Sequence, residues 1–309
     1  MNRWQQARRT AIDLAVYVVV RIVIATVQAL RIETCQRISQ VLGYLCNDLL
    51  RVRHRVVDDN LRHAFPNLTF AQHRQISRAM WQHLLLMVCE IAHSQRKIHQ
   101  TNWRHHISMP NKRELVAAMM DRRPRVAVTG HFGNFEMCGY AAGLLGFPTF
   151  TIARPLDNRF LHGFLTRFRE ATGQFILPTR GSADDAQAVI ESRETLSLLG
   201  DHHAGPKGCW VDFFDRPASC HKAVALFALA NQAPLMVIYA RRDRRPLHFE
   251  IRLVGMHDPQ EPQLPLDTVP ELTQWYNRLM ETMIRHCPQQ YWWLHRRWKD
   301  TRKKKQLAA

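Results

Sequence analysis

The chain of 309 residues carries 43 Lys and Arg against 26 Asp and Glu, a formal charge of +17 before any of its 17 histidines protonates. With 46% hydrophobic residues and only 13 Gly and 15 Pro, a disordered polybasic chain and a low-complexity or collagen-like protein are both excluded. The excess charge must face something anionic, which leaves nucleic acid, a membrane surface or a phosphorylated substrate. Cys35, Cys46, Cys89, Cys138, Cys209, Cys220 and Cys287 are odd in number and scattered, with no Cys-x-x-Cys pair. They read as reduced thiols of a cytosol-facing protein, and neither a disulfide framework nor a zinc module fits them.

Arg8 and Arg9 precede an apolar stretch, Ala11 to Leu30, nearly long enough to span a bilayer but interrupted by Asp13 and Arg21. No small-residue cleavage site follows, so the expectation is an uncleaved membrane-associated helix, with a buried core helix as the plain alternative. Both flanks are basic and give no orientation. From Glu33 to about His99 apolar residues recur at helical spacing, as in Leu42, Leu45, Leu49 and in Trp81, Leu84, Leu85, Val88. The pattern breaks at Ala64-Phe65-Pro66-Asn67, and Thr69 is placed to cap the next helix.

After Pro110 short apolar runs alternate with helical stretches: Val126–Val128 then Phe135–Leu145, Thr149–Ala153 then Phe160–Ala171, Thr195–Leu199 then Ala223–Ala230. Leu235–Tyr239 and His248–Val254 follow. This predicts an α/β fold with a largely parallel central sheet flanked by helices. A last helix is expected from about Pro270 to His286, and Lys299 to Ala309 reads as a solvated basic tail. Tyr291 to Trp298 interleaves Trp and Arg, as in a partly buried helix with snorkelling arginines or an interfacial anchor.

Sites in α/β sheets gather beyond the carboxyl ends of the strands. There the sequence places His131 in a glycine-flanked turn with Glu136 in the first helical turn after it, Arg154 after the second strand, and Asp201-His202-His203 after the third. A carboxylate reaching back to the imidazole would fix its tautomer and leave the other nitrogen free to take a proton from a hydroxyl. Alternatively Glu136 serves as a helix-terminal cap suited to the dipole, and spacing alone leaves both readings open. His-x4-Glu is not the His-Glu-x-x-His of a zinc helix. Adjacent His202 and His203 point opposite ways if extended, so no metal or other cofactor is expected. A metal-dependent hydrolase built on His131, Glu136, Asp201 and His203 is the weaker alternative. No P-loop, Gly-x-Ser-x-Gly elbow, Rossmann fingerprint or RNA-module motif occurs, so no nucleic-acid partner is expected.

These residues resemble the bacterial lipid A biosynthesis acyltransferase family, the late acyltransferases. The resemblance rests on Asp59-Asn60-Leu61-Arg62-His63-Ala64-Phe65-Pro66, His131-Phe132-Gly133-Asn134-Phe135-Glu136, Arg154-Pro155 with Asn158, and Asp201 with Gly205 and Lys207-Gly208. Phe213-Phe214, Arg216-Pro217-Ala218 and the closing Pro288 to Lys299 complete it. It implies transfer of a fatty acyl chain from acyl carrier protein or acyl-CoA to a hydroxyl of a lipid A precursor or related anionic glycolipid. The place would be the inner membrane, with the catalytic part facing the cytoplasm. It further implies His131 as general base and Glu136 as its orienting partner. Asn134, Arg154, Asn158, Asp201 and Lys207 would bind substrate, with Arg154 polarising the thioester or gripping phosphate and Asp201 positioning substrate or holding Arg154. The domain reading that follows is an anchor helix over 1–32 and an acyltransferase domain over 33–309, with a helical part 33–110, an α/β part 111–298 and the tail 299–309. The family usually has Trp at Phe135, a modest change that preserves the apolar wall, and it often has Gln at His202 and Gly at Asp215, both near the acceptor side. A phosphatidylinositol mannoside, an ornithine lipid or a lysophospholipid is the alternative acceptor.

Overall fold

The computed structural model describes residues 3–179, 181–260 and 265–299, so the basic tail beyond Lys299 lies outside the described residues. The helical N-terminal part consists of α1 (Arg3–Ala29), α2 (Ile32–Tyr44, continuing as a π-turn over Leu45–Leu49), α3 (His54–Ala64) and α4 (Phe70–Lys97). Next come β1 (Ile107–Ser108), α5 (Lys112–Met119), β2 (Arg125–Thr129), α6 (Glu136–Leu144), β3 (Thr149–Ala153) and α7 (Arg159–Glu170). Then follow β4 (Gln174–Pro178), α8 (Ser182–Glu191), β5 (Thr195–Leu199), β6 (Cys209–Phe213) and β7 (Arg216–Cys220). The described chain ends with α9 (Ala223–Ala230), β8 (Leu235–Arg242), β9 (Phe249–His257) and α10 (Val269–His286).

Seven strands form one sheet in the order β1-β9-β8-β2-β5-β3-β4, while β6 and β7 make a separate antiparallel hairpin. Strands β8, β2, β5, β3 and β4 run parallel, and β9 runs against β8. The expected α/β fold with a largely parallel sheet is therefore present. Strand β2 is buried at every position, as a strand covered by helices on both faces must be. Its carboxyl end points to the same sheet edge as those of β5, β3 and β8, and this shared edge creates the site.

Local chemistry starts and stops the long helices. Thr69 caps α4 through Gln72 N, while Gln72 Oε1 accepts from Thr69 N at 2.8 Å, and Thr268 with Glu271 repeats the same box at α10. No residue of α1, by contrast, is fully buried, so the core-helix alternative fails for it. At 27 residues, and about 40 Å at helical rise, it is long and apolar enough to cross a membrane. Its inner side is tied down: Asn158 Nδ2 donates to Asp13 O at 2.7 Å, Gln28 Nε2 donates to Ala92 O at 2.7 Å, and Arg21 lies 4.7 Å over the Phe164 ring.

Two expectations change. The apolar stripe of α4 marks its buried face only in part: Trp81 and Leu84 pack against the core but Val88 is 60% exposed, and the side turned inward carries His73, Ser77, His83, Glu90 and His93 beside Met80, Leu86 and Met87. The closing segment is neither a helix nor an exposed anchor. Tyr291, Trp293, Arg297 and Trp298 are buried, with Trp293 Nε1 donating to Pro288 O at 2.7 Å and Trp298 Nε1 donating to Phe213 O at 2.9 Å. The motif around Asn60 explains this burial. Asn60 Nδ2 donates to both Trp293 O and His295 O at 2.8 Å, and Phe65 meets the Phe214 and Trp293 rings edge-on. Helix α3 thus clamps the C-terminal segment over the sheet edge.

Candidate active site

His131 sits two residues beyond β2 in a turn that cannot relax. Gly133 N donates to Gln290 O at 2.8 Å and Asn134 N to Ala240 O at 2.7 Å, which pins the turn between the closing segment and β8. Gly133 has φ +62°, and a Cβ there would run into the Ala240 carbonyl, so only glycine fits. Behind the turn, Glu90 of α4 is fully buried and takes Arg242 through Nε (2.6 Å) and a terminal nitrogen (2.7 Å). It also accepts from Leu247 N at 3.1 Å and Asn134 Nδ2 at 3.3 Å. Arg242 in turn donates to His83 Nδ1 at 2.9 Å, and His83 Nε2–H donates to Gly133 O at 3.1 Å. Burial, reinforced by the Arg242 charge, drives His83 well below its ordinary pKa and keeps it neutral.

The partner of His131 is Asp201. Its carboxylate is 1% exposed and accepts twice from the same residue: Oδ1 from His131 Nδ1–H at 2.8 Å, and Oδ2 from the His131 backbone N–H at 2.8 Å. The contact follows from the sheet. Strands β2 and β5 pair in parallel with Thr129 opposite Leu199, so His131 and Asp201 each lie two residues past a paired position. Burial alone would lower His131, but the charge and hydrogen bond of Asp201, with a smaller contribution from Glu136, raise it above its ordinary value. Burial pushes Asp201 up, and the His131 charge and hydrogen bond outweigh that, so it stays ionised.

Glu136, the first residue of α6, does not reach back to the imidazole, nor does it cap free amides. Its carboxylate forks onto Arg169 of α7, with Arg169 Nε donating to Oε2 at 3.0 Å and a terminal nitrogen donating to Oε1. This corrects the expected His131–Glu136 contact, and the physical reason is that Asp201 already occupies Nδ1. Arg169 was missed because its partner lies 33 residues upstream, a separation with no local signal.

The expected substrate-binding set divides. Asn134 is fully buried against Glu90 and cannot face a substrate. Asn158 is the cap of α7, its Oδ1 accepting from Phe160 N at 3.0 Å and Leu161 N at 3.1 Å, while Nδ2 holds α1. Asp201 holds His131 and not Arg154. Arg154 is exposed at the end of β3 beside Asp157, at 3.4 Å, and Lys207 is exposed on the loop before β6.

Beyond Asp201 the rings of His131 and His202 stack with centroids 3.9 Å apart and planes 2° apart, and His202 stacks on His295 at 4.2 Å and 16°. Ligand atoms of His131, Asp201 and His202 lie within 4.8 Å of one another. Parallel stacked rings, however, direct their lone pairs side by side, and Asp201 Oδ1 is engaged by Nδ1–H, so the three do not form a convergent tetrahedral donor set. Along the sheet face a narrow apolar cavity runs under α6 from Thr129, Cys138 and Gly139 towards Leu115, Met119 and Phe147.

A histidine held this way, with Nδ1–H donated to a buried carboxylate and Nε2 left with its lone pair, is built to take a proton. The family model described as bacterial lipid A biosynthesis acyltransferase matches residues 5–300. The chain belongs to this family. It is an acyltransferase, and the family supports acyl transfer to a lipid acceptor. Among its relatives, the lipid A biosynthesis lauroyltransferase of Escherichia coli K12 is 24% identical over 269 residues, covering 85% of this chain and 84% of that protein. The lipid A biosynthesis palmitoleoyltransferase of the same organism is 26% identical over 189 residues, 60% of this chain and 59% of that one. Among solved structures, the 1-acyl-sn-glycerophosphate acyltransferase of Thermotoga maritima aligns at 8% identity with a TM-score of 0.40, over 83% of this chain and 97% of that one.

Proposed function

We propose that the protein transfers a fatty acyl chain from an acyl thioester, on acyl carrier protein or coenzyme A, to a hydroxyl of a lipid A precursor or closely related anionic glycolipid. The observation that carries the mechanism is the His131–Asp201 pair, with Nδ1–H on the carboxylate and Nε2 available. His131 Nε2 takes the proton of the acceptor hydroxyl as its oxygen attacks the thioester carbonyl. The tetrahedral intermediate collapses by breaking the carbon–sulfur bond, and the leaving thiolate recovers the proton from His131. The products are an ester and a free thiol, and no acyl-enzyme is needed. Glu136 acts at one remove: its charge adds to the basicity of His131, and its fork fixes Arg169 as the nearby cation for the developing oxyanion. The narrow apolar cavity behind Thr129 suits the acyl chain, with Met109 and Met119 adaptable enough to part for it.

The membrane reading rests on α1 and on Leu49, Leu50 and Val52, exposed next to Arg51, Arg53 and Arg55 in the pattern of an interfacial patch. The site then faces the cytoplasm at the inner membrane, with exposed Arg154 and Lys207 meeting acceptor phosphate. The test is mass spectrometry of total lipids from cells with the protein, without it, and with only the His131→Ala variant. Loss of one acyl chain from lipid A in the last two is expected. An unchanged lipid profile overturns the reading, and a missing chain on another lipid reassigns the acceptor.

A further inference from the structure

Three imidazoles from three distant stretches of chain form a column. His131 follows β2, His202 follows β5, and His295 comes from the closing segment that Asn60 clamps in place. The middle ring lies flat on His131, at 3.9 Å and 2°, and is backed by His295 at 4.2 Å. The outer face of the column is fixed chemically, because the His203 backbone N–H donates to His295 Nε2 at 2.9 Å, which requires that nitrogen to be unprotonated. Two further neighbours flank the His131 ring, Phe135 at 5.0 Å and Trp292 at 5.5 Å, both edge-on.

A flat neutral ring is an unusual neighbour for a base. It offers a π-face to a cation on the adjacent ring while supplying no hydrogen bond that would compete for the proton. We propose that His202 is a positioning residue of the transfer reaction: backed by His295, its ring fixes the plane of the His131 imidazole and stabilises the imidazolium formed when His131 takes the acceptor proton. This rests on His131 being the base. Charged and titratable groups around the column are Asp201 beside His131, Glu136 with Arg169 from α6 and α7, Tyr291 and Arg297 from the closing segment, and His221 after β7. The column carries at most one positive charge, since burial, helped by the neighbouring positive charges and opposed by Asp201, lowers His202 and His295 to about 4.

The experiment uses the full chain in anionic lipid vesicles with an acyl-thioester donor. It measures the pH dependence of transfer and, separately, the titration of His131 by NMR of protein labelled at histidine Cε1, with the signal assigned by His131→Gln. Leucine fills the place of His202 without a π-face, whereas phenylalanine keeps the face without a titrating nitrogen. His202→Leu should lower the His131 midpoint and the acid limb of kcat by about half to one pH unit, and slow transfer about three- to tenfold. His202→Phe should hold the midpoint at the wild-type value and keep the rate within about twofold. If His202→Leu fails to fold by circular dichroism, His202→Gln takes its place with the same expectation. A purely steric role predicts equal midpoints in the Leu, Gln and Phe variants, and that result overturns the proposal. Wild-type protein that transfers to no lipid acceptor, while the NMR midpoints move as stated, would refute the proposed function and leave the stacking effect standing.

Discussion

Asp201→Asn is the sharpest perturbation of the site because the two groups of His131 that meet the carboxylate are both donors. His131 presents its backbone N–H and its Nδ1–H, each at 2.8 Å, and a carboxylate accepts both. An asparagine has one acceptor oxygen and one NH2. If the oxygen keeps the backbone N–H, the NH2 faces the ring, and the imidazole relieves the clash by moving its proton to Nε2. Nε2 is then protonated and can no longer take a proton from the acceptor. If the oxygen keeps the ring, a backbone donor loses its partner inside a site where Asp201 is 1% exposed. The first outcome removes general-base catalysis, worth about 10²–10⁴ in rate, and the second deprives His131 of the carboxylate charge that supports its basicity, both at little change in volume. The sign of the pH effect follows from the raised His131. Its neutral form is the active one, so activity rises with pH through its folded pKa, which Asp201 holds above the ordinary value against burial. Without the carboxylate burial prevails, and the residual activity should show its acid limb at lower pH. The assay is transfer to lipid vesicles across pH 5–9 (about the range in which imidazole titrates), with circular dichroism to establish that the variant is folded. A folded Asp201→Asn protein with more than about a tenth of wild-type kcat, or an unmoved acid limb, refutes the reasoning.

Arg169→Lys retains the charge but cannot reproduce the two-pronged contact on Glu136, and the loss of one charge-assisted hydrogen bond should slow transfer about tenfold, read as kcat with KM near its original value. Glu90→Gln leaves Arg242 buried without its counter-charge. It should destabilise the protein by about 3–5 kcal/mol, measured as a lowered denaturant midpoint, and an unchanged midpoint would mean that the network contributes nothing to the fold. Activity on anionic vesicles should fall as salt rises from about 0.1 to about 1 M, over which the Debye length shortens from about 10 to about 3 Å, and salt-insensitive transfer would dissociate the +17 charge from lipid engagement.

The sheet was legible because its strands are runs of apolar residues at parallel-sheet spacing, and the positions of His131, Arg154 and Asp201 beyond strand ends followed from it. Partners were not legible to the same degree. The choice between a reach-back and a cap for Glu136 considered only groups within one turn of chain, whereas the contacts that formed are 70 residues away for His131 and 33 for Glu136. The first could have been read, since pairing β2 with β5 puts residues 131 and 201 in register. The second depends on the orientation of α7, which is set by Asn158 and by the packing of α1. Asn134 and Asn158 illustrate the same limit, because a polar residue in a motif looks alike whether it faces a substrate or satisfies a buried backbone.

The helical part, which composition presents as an anchor and a scaffold, is a component of the active site. The inward side of α4 carries histidines and a glutamate because it must satisfy Gly133 O, Asn134 and Arg242 at the back of the His131 turn. Val88, with Ile91 and Ala92 of the same helix, lines the groove shared with α1 and α7. Consequently α7 has α1 on one side and presents Arg169 to Glu136 on the other, so an element seated on the apolar N-terminal helix also positions a charge at the site. The acids follow the same logic. Asp48, Glu90, Glu136, Asp201 and Glu250 are turned inward onto basic partners, so these five carboxylates shape the interior and not the outer electrostatic face. Arg51, Arg53, Arg55, Arg154 and Lys207 stand exposed, and under a net charge of +17 they present an electrostatic face suited to the anionic leaflet of the proposed function.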